Sequence, residues 1–324
     1  MKSLAIWEGT GKRGRLRNKR RFVTSVVGRI SLAMVLLSLG SGLIGQATPS
    51  LQAQETLQSP VRLALHPSGR LLVTDRRLAG VVDWDAERSR VVGFFETPGR
   101  PVGVAWAWGK VYIGNDSSGA VEVYTSGGKF VTTLGQVGQV RRPSDIAVDT
   151  RQGLIFVTDA KLGRVVVYNH KGQLVRMLPA PGAPPLNVPT GIALDMERGE
   201  VLVSDFGDAG WFSMDAWVRI YDYEGNYREG ISGRKAGIYG FSRPEGLAVN
   251  RLGQIYLVDS LRSQVLVFDR TTLAGIATIG EAGTGNGQLL LPVDVVISDK
   301  TDDLFVTNHR HGTVTVFKGM GAVQ

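Results

Sequence analysis

The sequence predicts an all-β fold, a six-bladed β-propeller of four-stranded blades whose ring is closed by an N-terminal strand. Three observations predict it. A self-similar unit opens at Pro60, Pro101, Pro143, Pro189, Pro244 and Pro292, at spacings of 41, 42, 46, 55 and 48 residues. Within each unit apolar and polar residues alternate, β-branched residues are frequent, and a glycine or polar turn recurs every few residues. That is the period of strands, and no segment after residue 54 keeps a helical one. Each unit also has room for four strands, the repeat of a propeller blade. One blade cannot bury both its faces alone, so six must stack round an axis.

The chain has 324 residues, 43% of them hydrophobic and 20% charged, with no cysteine. This is a globular composition. Zero cysteine excludes a disulfide framework, a thiolate nucleophile, cysteine-ligated zinc and covalently attached haem. Residues 1–53 read as a leader. Met1–Arg21 is basic, Ile30–Gly45 is an uncharged, mostly apolar run, and Ala47 and Ala53 offer small-residue cleavage positions. Together they describe a signal peptide, or an N-terminal membrane anchor where the leader is not cleaved. The apolar run is shorter than the ~20 residues of a spanning helix. Arg20-Arg21 reads as a generic positive patch or as a twin-arginine export signal. The expected location is therefore exported: periplasmic or extracellular, with attachment to the inner membrane only through an uncleaved leader.

The leader holds nine of the 37 lysines and arginines and one of the 29 acids, Glu8. Residues 54–324, read as one propeller domain, thus keep 28 basic and 28 acidic residues, and the formal charge of +8 belongs to the leader. A neutral exported body argues against a nucleic-acid partner, which calls for a strongly basic face.

Each proline opens an apolar first strand: VRLAL, VGVAW, SDIAV, TGIAL, EGLAV, VDVVI. A turn follows, usually with glycine. The second strand ends at Asp75, Asn115, Asp159, Asp205, Asp259 or Asn308. A third strand carries an aromatic near its end: Trp84, Tyr124, Tyr168, Tyr221, Phe268, Phe317. A weaker fourth strand completes the unit, as in Phe130–Leu134. The sixth unit runs out after three strands, so Gln54–Ser59 is expected to supply its outer strand and cover an open edge. The alternative leaves the last blade with three strands. The recurrent Asp/Asn is expected to accept hydrogen bonds from the loop amides that follow it.

The unit Pro-x-x-(Ile/Leu)-Ala-Val…Gly-x-Ile-x-Val-x-Asp…Arg-Val-x-Val-Tyr, carried best by Pro143–Tyr168 and Pro244–Phe268, resembles the NHL repeat. The resemblance covers 60–318 and implies the propeller fold. It leaves function open, since NHL propellers include protein-binding and RNA-binding modules, an amidating lyase and envelope proteins. The lyase would need zinc-binding histidines just after the blade-opening prolines. Those positions hold Val61, Val102, Ser144, Thr190, Glu245 and Val293, and the four histidines (His66, His170, His309, His311) are scattered over turns and loops. Calcium-dependent lactonases also use six-bladed propellers. Asp145, Glu245 and Asp294, at the mouths of innermost strands, could supply the hard oxygen ligands of such a site. No Gly-x-Ser-x-Gly elbow and no glycine-rich phosphate loop appears.

The candidate site is the face where the between-blade loops and the second-to-third-strand loops open together. The largest insertion there, Phe206–Trp217, carries Phe206, Asp208, Trp211, Phe212 and Trp217. These either suit a partner's side chains or a sugar ring, or fold inward as a small core. The other loops are basic: Arg76 and Arg77, Lys161, Arg262, and His309-Arg310-His311. Nearer the axis lie Asp145, Glu245 and Asp294, with Arg62 as their counterpart in the first blade. The reading is a binding or scaffold module for a protein or glycan, without cofactor or catalytic residues. A lactonase-like hydrolase with axial calcium held by Asp145, Glu245 and Asp294 is the alternative.

Overall fold

The computed structural model describes residues 56–207 and 215–323. The leader over 1–53 lies outside the described residues. Innermost strands open at the expected prolines: Pro60–Leu65, Pro101–Ala107, Pro143–Asp149, Pro189–Asp195, Pro244–Val249 and Pro292–Ile297. Second strands end at the expected Asp or Asn in every blade. Among the described residues the first five blades are four-stranded antiparallel meanders, and the sixth is a three-stranded sheet. Among the described residues the one helical feature is a short 3-10 turn, Gly237–Tyr239, in the loop before the fifth blade.

Period-two alternation explains how the blades stack. In the second strand of blade one, Leu71 and Val73 point to one side and Leu72 to the other. Leu71 and Val73 pack with Leu63, Val82 and Phe305 of blade six, while Leu72 packs with Val104, Val111 and Ile113 of blade two. The same division gives one hydrophobic cluster at each of the other blade interfaces. Tyr168, Tyr221 and Phe268, near the ends of third strands, are wholly buried between blades. The repeated aromatic is thus a spacer of the wedge between neighbouring blades.

Two polar devices hold the loops at one end of the ring. The first is the Asp or Asn ending each second strand, at most 2% exposed in all six blades. Asp159 accepts from the amides of Lys161 and Leu162 ahead of it, as an Asx-turn does, and also from Arg141 and Arg142, which lead into the blade's own first strand. Asp75 repeats this with Arg77 and Leu78 on one side and Gln58 and Ser59 on the other. The second device is a set of hydroxyls near the axis that donate to the next blade. Thr74 donates to Val102 O at 2.6 Å, Ser144 to Pro189 O at 2.8 Å, Thr190 to Pro244 O at 2.9 Å and Thr307 to Val61 O at 3.0 Å.

The N-terminal segment departs from expectation. Residues 56–59 form no strand, and no outer strand covers Thr313–Phe317 among the described residues. The reason lies in where the donors go. The Gln58 and Ser59 amides are both taken by Asp75 Oδ2, at 2.7 and 2.8 Å, so they cannot pair with the sixth blade. The segment instead sits where the other between-blade loops sit. Leu57, 4% exposed, packs beside Phe305 and Val314 at the junction of first and last blades. The ring closes there through side chains.

The buried clamps give the first prediction. Asp159→Ala removes the acceptor of four amides and should cost about 3 kcal/mol or more in urea denaturation. Asp159→Asn should cost only about 1 kcal/mol, because Asn115 and Asn308 already do this work in two blades. Equal losses for the two variants would show that charge matters and the hydrogen bonds do not.

Candidate functional site

The second residue after each blade-opening proline faces the axis. In ring order these are Arg62, Gly103, Asp145, Gly191, Gly246 and Asp294. Three side chains are charged and three are absent, and the absences are required. A Cβ on Gly246 would overlap Asp294 Oδ1, and one on Gly191 would overlap Glu245 O. The glycines let the first strands of neighbouring blades approach closely round the axis.

Arg62 is 2% exposed. Its Nε lies 3.8 Å from Asp145 Oδ1 and its Nη1 lies 3.4 Å from Asp294 Oδ1. The guanidinium also donates to three carbonyls: Ser144 O at 3.2 Å, Val293 O at 3.0 Å, and Thr190 O. One side chain from blade one thus binds blades three, four and six. The carboxylates are held in turn by backbone. Asp145 accepts from Ile146 and Ile192, and Asp294 Oδ2 accepts from Leu63 at 2.8 Å.

Burial pushes the Asp294 carboxyl up to about 7, with Asp145 adding to the rise and Arg62 opposing it. Burial raises Asp145 in the same direction, again against the pull of Arg62. Burial works against the Arg62 charge, but Asp145, Asp294 and Glu245 together hold its pKa above the ordinary value. The cluster is a desolvated cation shared by two acids whose pKa values burial raises.

Above this plug lies a funnel of about 610 Å³. Its floor is the ring of residues directly after the prolines: Val61, Val102, Ser144, Thr190, Glu245 and Val293. Its wall is set by residues that follow the clamping Asp or Asn: Arg76, Ala160, Phe206, Ser260 and His309. Arg142, Val188, Arg243 and Leu291, each just before a proline, form the rim. Because the clamps fix both the wall and the rim positions, the funnel's shape is written into the fold.

The structure sorts the residues singled out from the sequence. Arg62, Arg76, Phe206, Glu245 and His309 line the funnel, and Asp145 and Asp294 lie beneath it, bound to Arg62. Arg77, Lys161, Arg310 and His311 are exposed and stand outside it. Arg262 is spent on the neighbouring loop, donating to Ile238 O and Gly240 O. His309 Nδ1 donates to Pro60 O at 3.1 Å, while His311 is exposed, so the pair does not converge. Trp217 opens a third strand and lines a separate cleft between blades four and five, with the Arg219 guanidinium 5.0 Å from its ring centre. Asp208, Trp211 and Phe212 lie outside the described residues. Sequence reasoning missed Arg142 and Arg243 on the rim, which the signal "residue before a blade-opening proline" would have found. It also missed the axial glycines, whose alternation with charge was visible in the aligned units.

A family profile for the NHL repeat matches residues 241–268, the core of blade five. None of the curated proteins matches the chain. Similar solved structures include a gluconolactonase from Xanthomonas campestris, at 17% identity and TM-score 0.61, with 81% of this chain and 86% of that one covered. A chain of a nidogen/laminin complex is 19% identical, with TM-score 0.60 and coverage of 82% and 89%. A hydrazine synthase chain from Kuenenia stuttgartiensis is 15% identical, with TM-score 0.59 and coverage of 86% and 99%. At these identities the likeness is one of fold. The six stacked sheets make the protein a six-bladed β-propeller, and one of its blades matches the NHL repeat.

Two predictions test the axial cluster. Arg62→Met strands two buried carboxylates and should cost about 3–5 kcal/mol in urea denaturation. Adding Asp145→Asn and Asp294→Asn should recover much of that loss. The second concerns pH. A carboxyl raised from 3.8 to about 7 binds its proton in the folded state before the unfolded one. Its contribution is therefore fully present below 3.8 and lost as pH rises toward 7. Relative to Asp294→Asn, the wild type should lose stability across that window, and parallel pH profiles would contradict the assignment.

Proposed function

We propose that this propeller is a binding module that takes a group of a protein or glycan partner into its axial funnel, and that it is not a calcium-dependent hydrolase. The observation that carries the reading is Arg62. A calcium ion needs six to eight oxygen ligands, and Asp145, Glu245 and Asp294 are the acids the axis offers. Asp145 and Asp294 face a buried guanidinium at 3.8 and 3.4 Å, and Glu245 Oε1 accepts from Arg243 Nε at 3.2 Å. The arginine stands where the ion would have to sit, and its charge already serves these carboxylates. The donor set therefore does not fit calcium. Among the described residues no group of three or more His, Asp or Glu has metal-binding geometry.

The rest of the funnel favours recognition. Its lining mixes apolar surface with a few directed polar groups, the usual make-up of a ligand site. Each blade is clamped between two neighbours, so the loops are held in place before a ligand arrives and little ordering cost remains. Phe206, on the funnel wall, opens the insertion that runs to Trp217. The leader pattern supports an exported module. Among the described residues no helix is long and apolar enough to cross a membrane.

The separating experiment is metal dependence. Protein purified without chelator should hold no stoichiometric calcium by elemental analysis. Its melting temperature should not move with EDTA or added calcium. One tightly held calcium per chain, with a melt that falls on chelation, would replace this reading with the lactonase-like one, and Asp145, Glu245 and Asp294 would be mutated first.

A further inference from the structure

The funnel's cations are not equivalent. Arg62 is matched by Asp145 and Asp294. Arg243 pairs with Glu245 at 3.2 Å. Arg142 and Arg100 share Asp116, at 3.5 and 3.0 Å. Arg76 alone has no ion pair among the described residues, and its Nε is buried with no hydrogen-bond partner. Burial and the cations Arg62, Arg142 and Arg100 all press its pKa down, with Asp116 alone opposing among the charges. A guanidinium without an ion pair on a cavity wall is costly unless something anionic meets it. Arg76 is held in that position by its own backbone, whose amide donates to Ser59 O at 3.1 Å.

Across the funnel the chemistry changes. Blade four lies opposite blade one in a ring of six, and its wall residue is Phe206. The wall residues flanking Phe206, Ala160 and Ser260, are small, and the bulkier His309 stands beside blade one. Val102, Val188, Leu261, Leu291 and Val293 add further apolar lining. A guanidinium on one side and an aromatic ring on the other define the two ends of a ligand.

We propose that the funnel binds a carboxylate with an apolar, preferably aromatic, body, the acid forked onto Arg76 and the body resting toward Phe206. This deepens the binding-module reading and rests on it. The chemistry is that of a peptide's C-terminal residue or of a free aromatic acid. A sugar acid satisfies the guanidinium but leaves the apolar wall uncovered. Arginine suits the task because its planar fork meets both carboxylate oxygens at once.

The test uses the full propeller and three probes in ligand-observed and protein-observed NMR: N-acetylphenylalanine, its neutral amide, and glucuronate. The acid should bind about tenfold or more tightly than the amide or glucuronate. Arg76→Gln should abolish that preference and leave the melting temperature unchanged or raised, because an unpaired cation is removed. Arg77→Gln, one residue along but exposed, should keep the preference. A peptide ending in phenylalanine that binds more tightly than N-acetylphenylalanine points to a chain terminus as the natural source, and equal binding points to a free acid. Acid and amide binding alike at the funnel would overturn the carboxylate assignment while the funnel reading stands. Equal binding of glucuronate would overturn the apolar half. Shifts that map to the Trp217 cleft, or no binding by any probe at millimolar concentration, would remove the funnel as the site.

Discussion

Everything at the working end of this molecule depends on a buried carboxylate or amide repeated six times. The four Asp that end second strands satisfy their oxygens with amides from two directions, and Asn115 and Asn308 combine an accepted amide with an Nδ2 bond to a carbonyl of the incoming chain. One direction is the loop leaving the strand, and the other is the chain entering the blade. Because a buried acceptor left unpaired is expensive, these two loops cannot drift apart. The wall and the rim of the funnel are therefore tied to the same recurring side chains.

The axis is governed by the complementary problem, a buried positive charge. Arg62 lies there among two acids and three carbonyls, which offset the cost of burying its charge. Such an arrangement adds little net stability over an apolar core of the same shape, yet losing one partner is severe. Its effect is to forbid alternatives: with the guanidinium in place the axis offers neither a channel nor a vacant acidic cage. Ligand chemistry is pushed upward to the funnel.

Most of the architecture was legible in the chain. The six prolines, the second-strand ends and the third-strand aromatics all fall where the alternation and spacing put them, since strand period and turn glycines are local signals. The charges near the axis were legible as a group. Their pairing was not, because Arg62 meets Ser144, Thr190 and Asp294 across separations of 82, 128 and 232 residues. Arg76 and Arg77 look alike in sequence and differ completely in setting, one turned into the cavity and one to solvent. The N-terminal segment misled for a different reason. An open sheet edge and a spare stretch of chain suggest a strand, but Asp75 claims the amides first.

The way the ring is closed gives it a direction. Five of the six blades are complete meanders, and the junction of the last with the first is made by Leu57, by the Thr307 hydroxyl on Val61 O and by the reach of Arg62 to Val293 O. No main-chain ladder crosses that junction among the described residues. A ring stitched by a shared strand must unzip a row of backbone bonds to open, whereas among the described residues this junction is held by side chains. The molecule thus behaves less like a wheel than like a clasped bracelet, with its clasp beside Arg76 and His309 on the funnel wall. A ligand lodged against that wall would bear directly on the seam, and so on the stability of the whole circle.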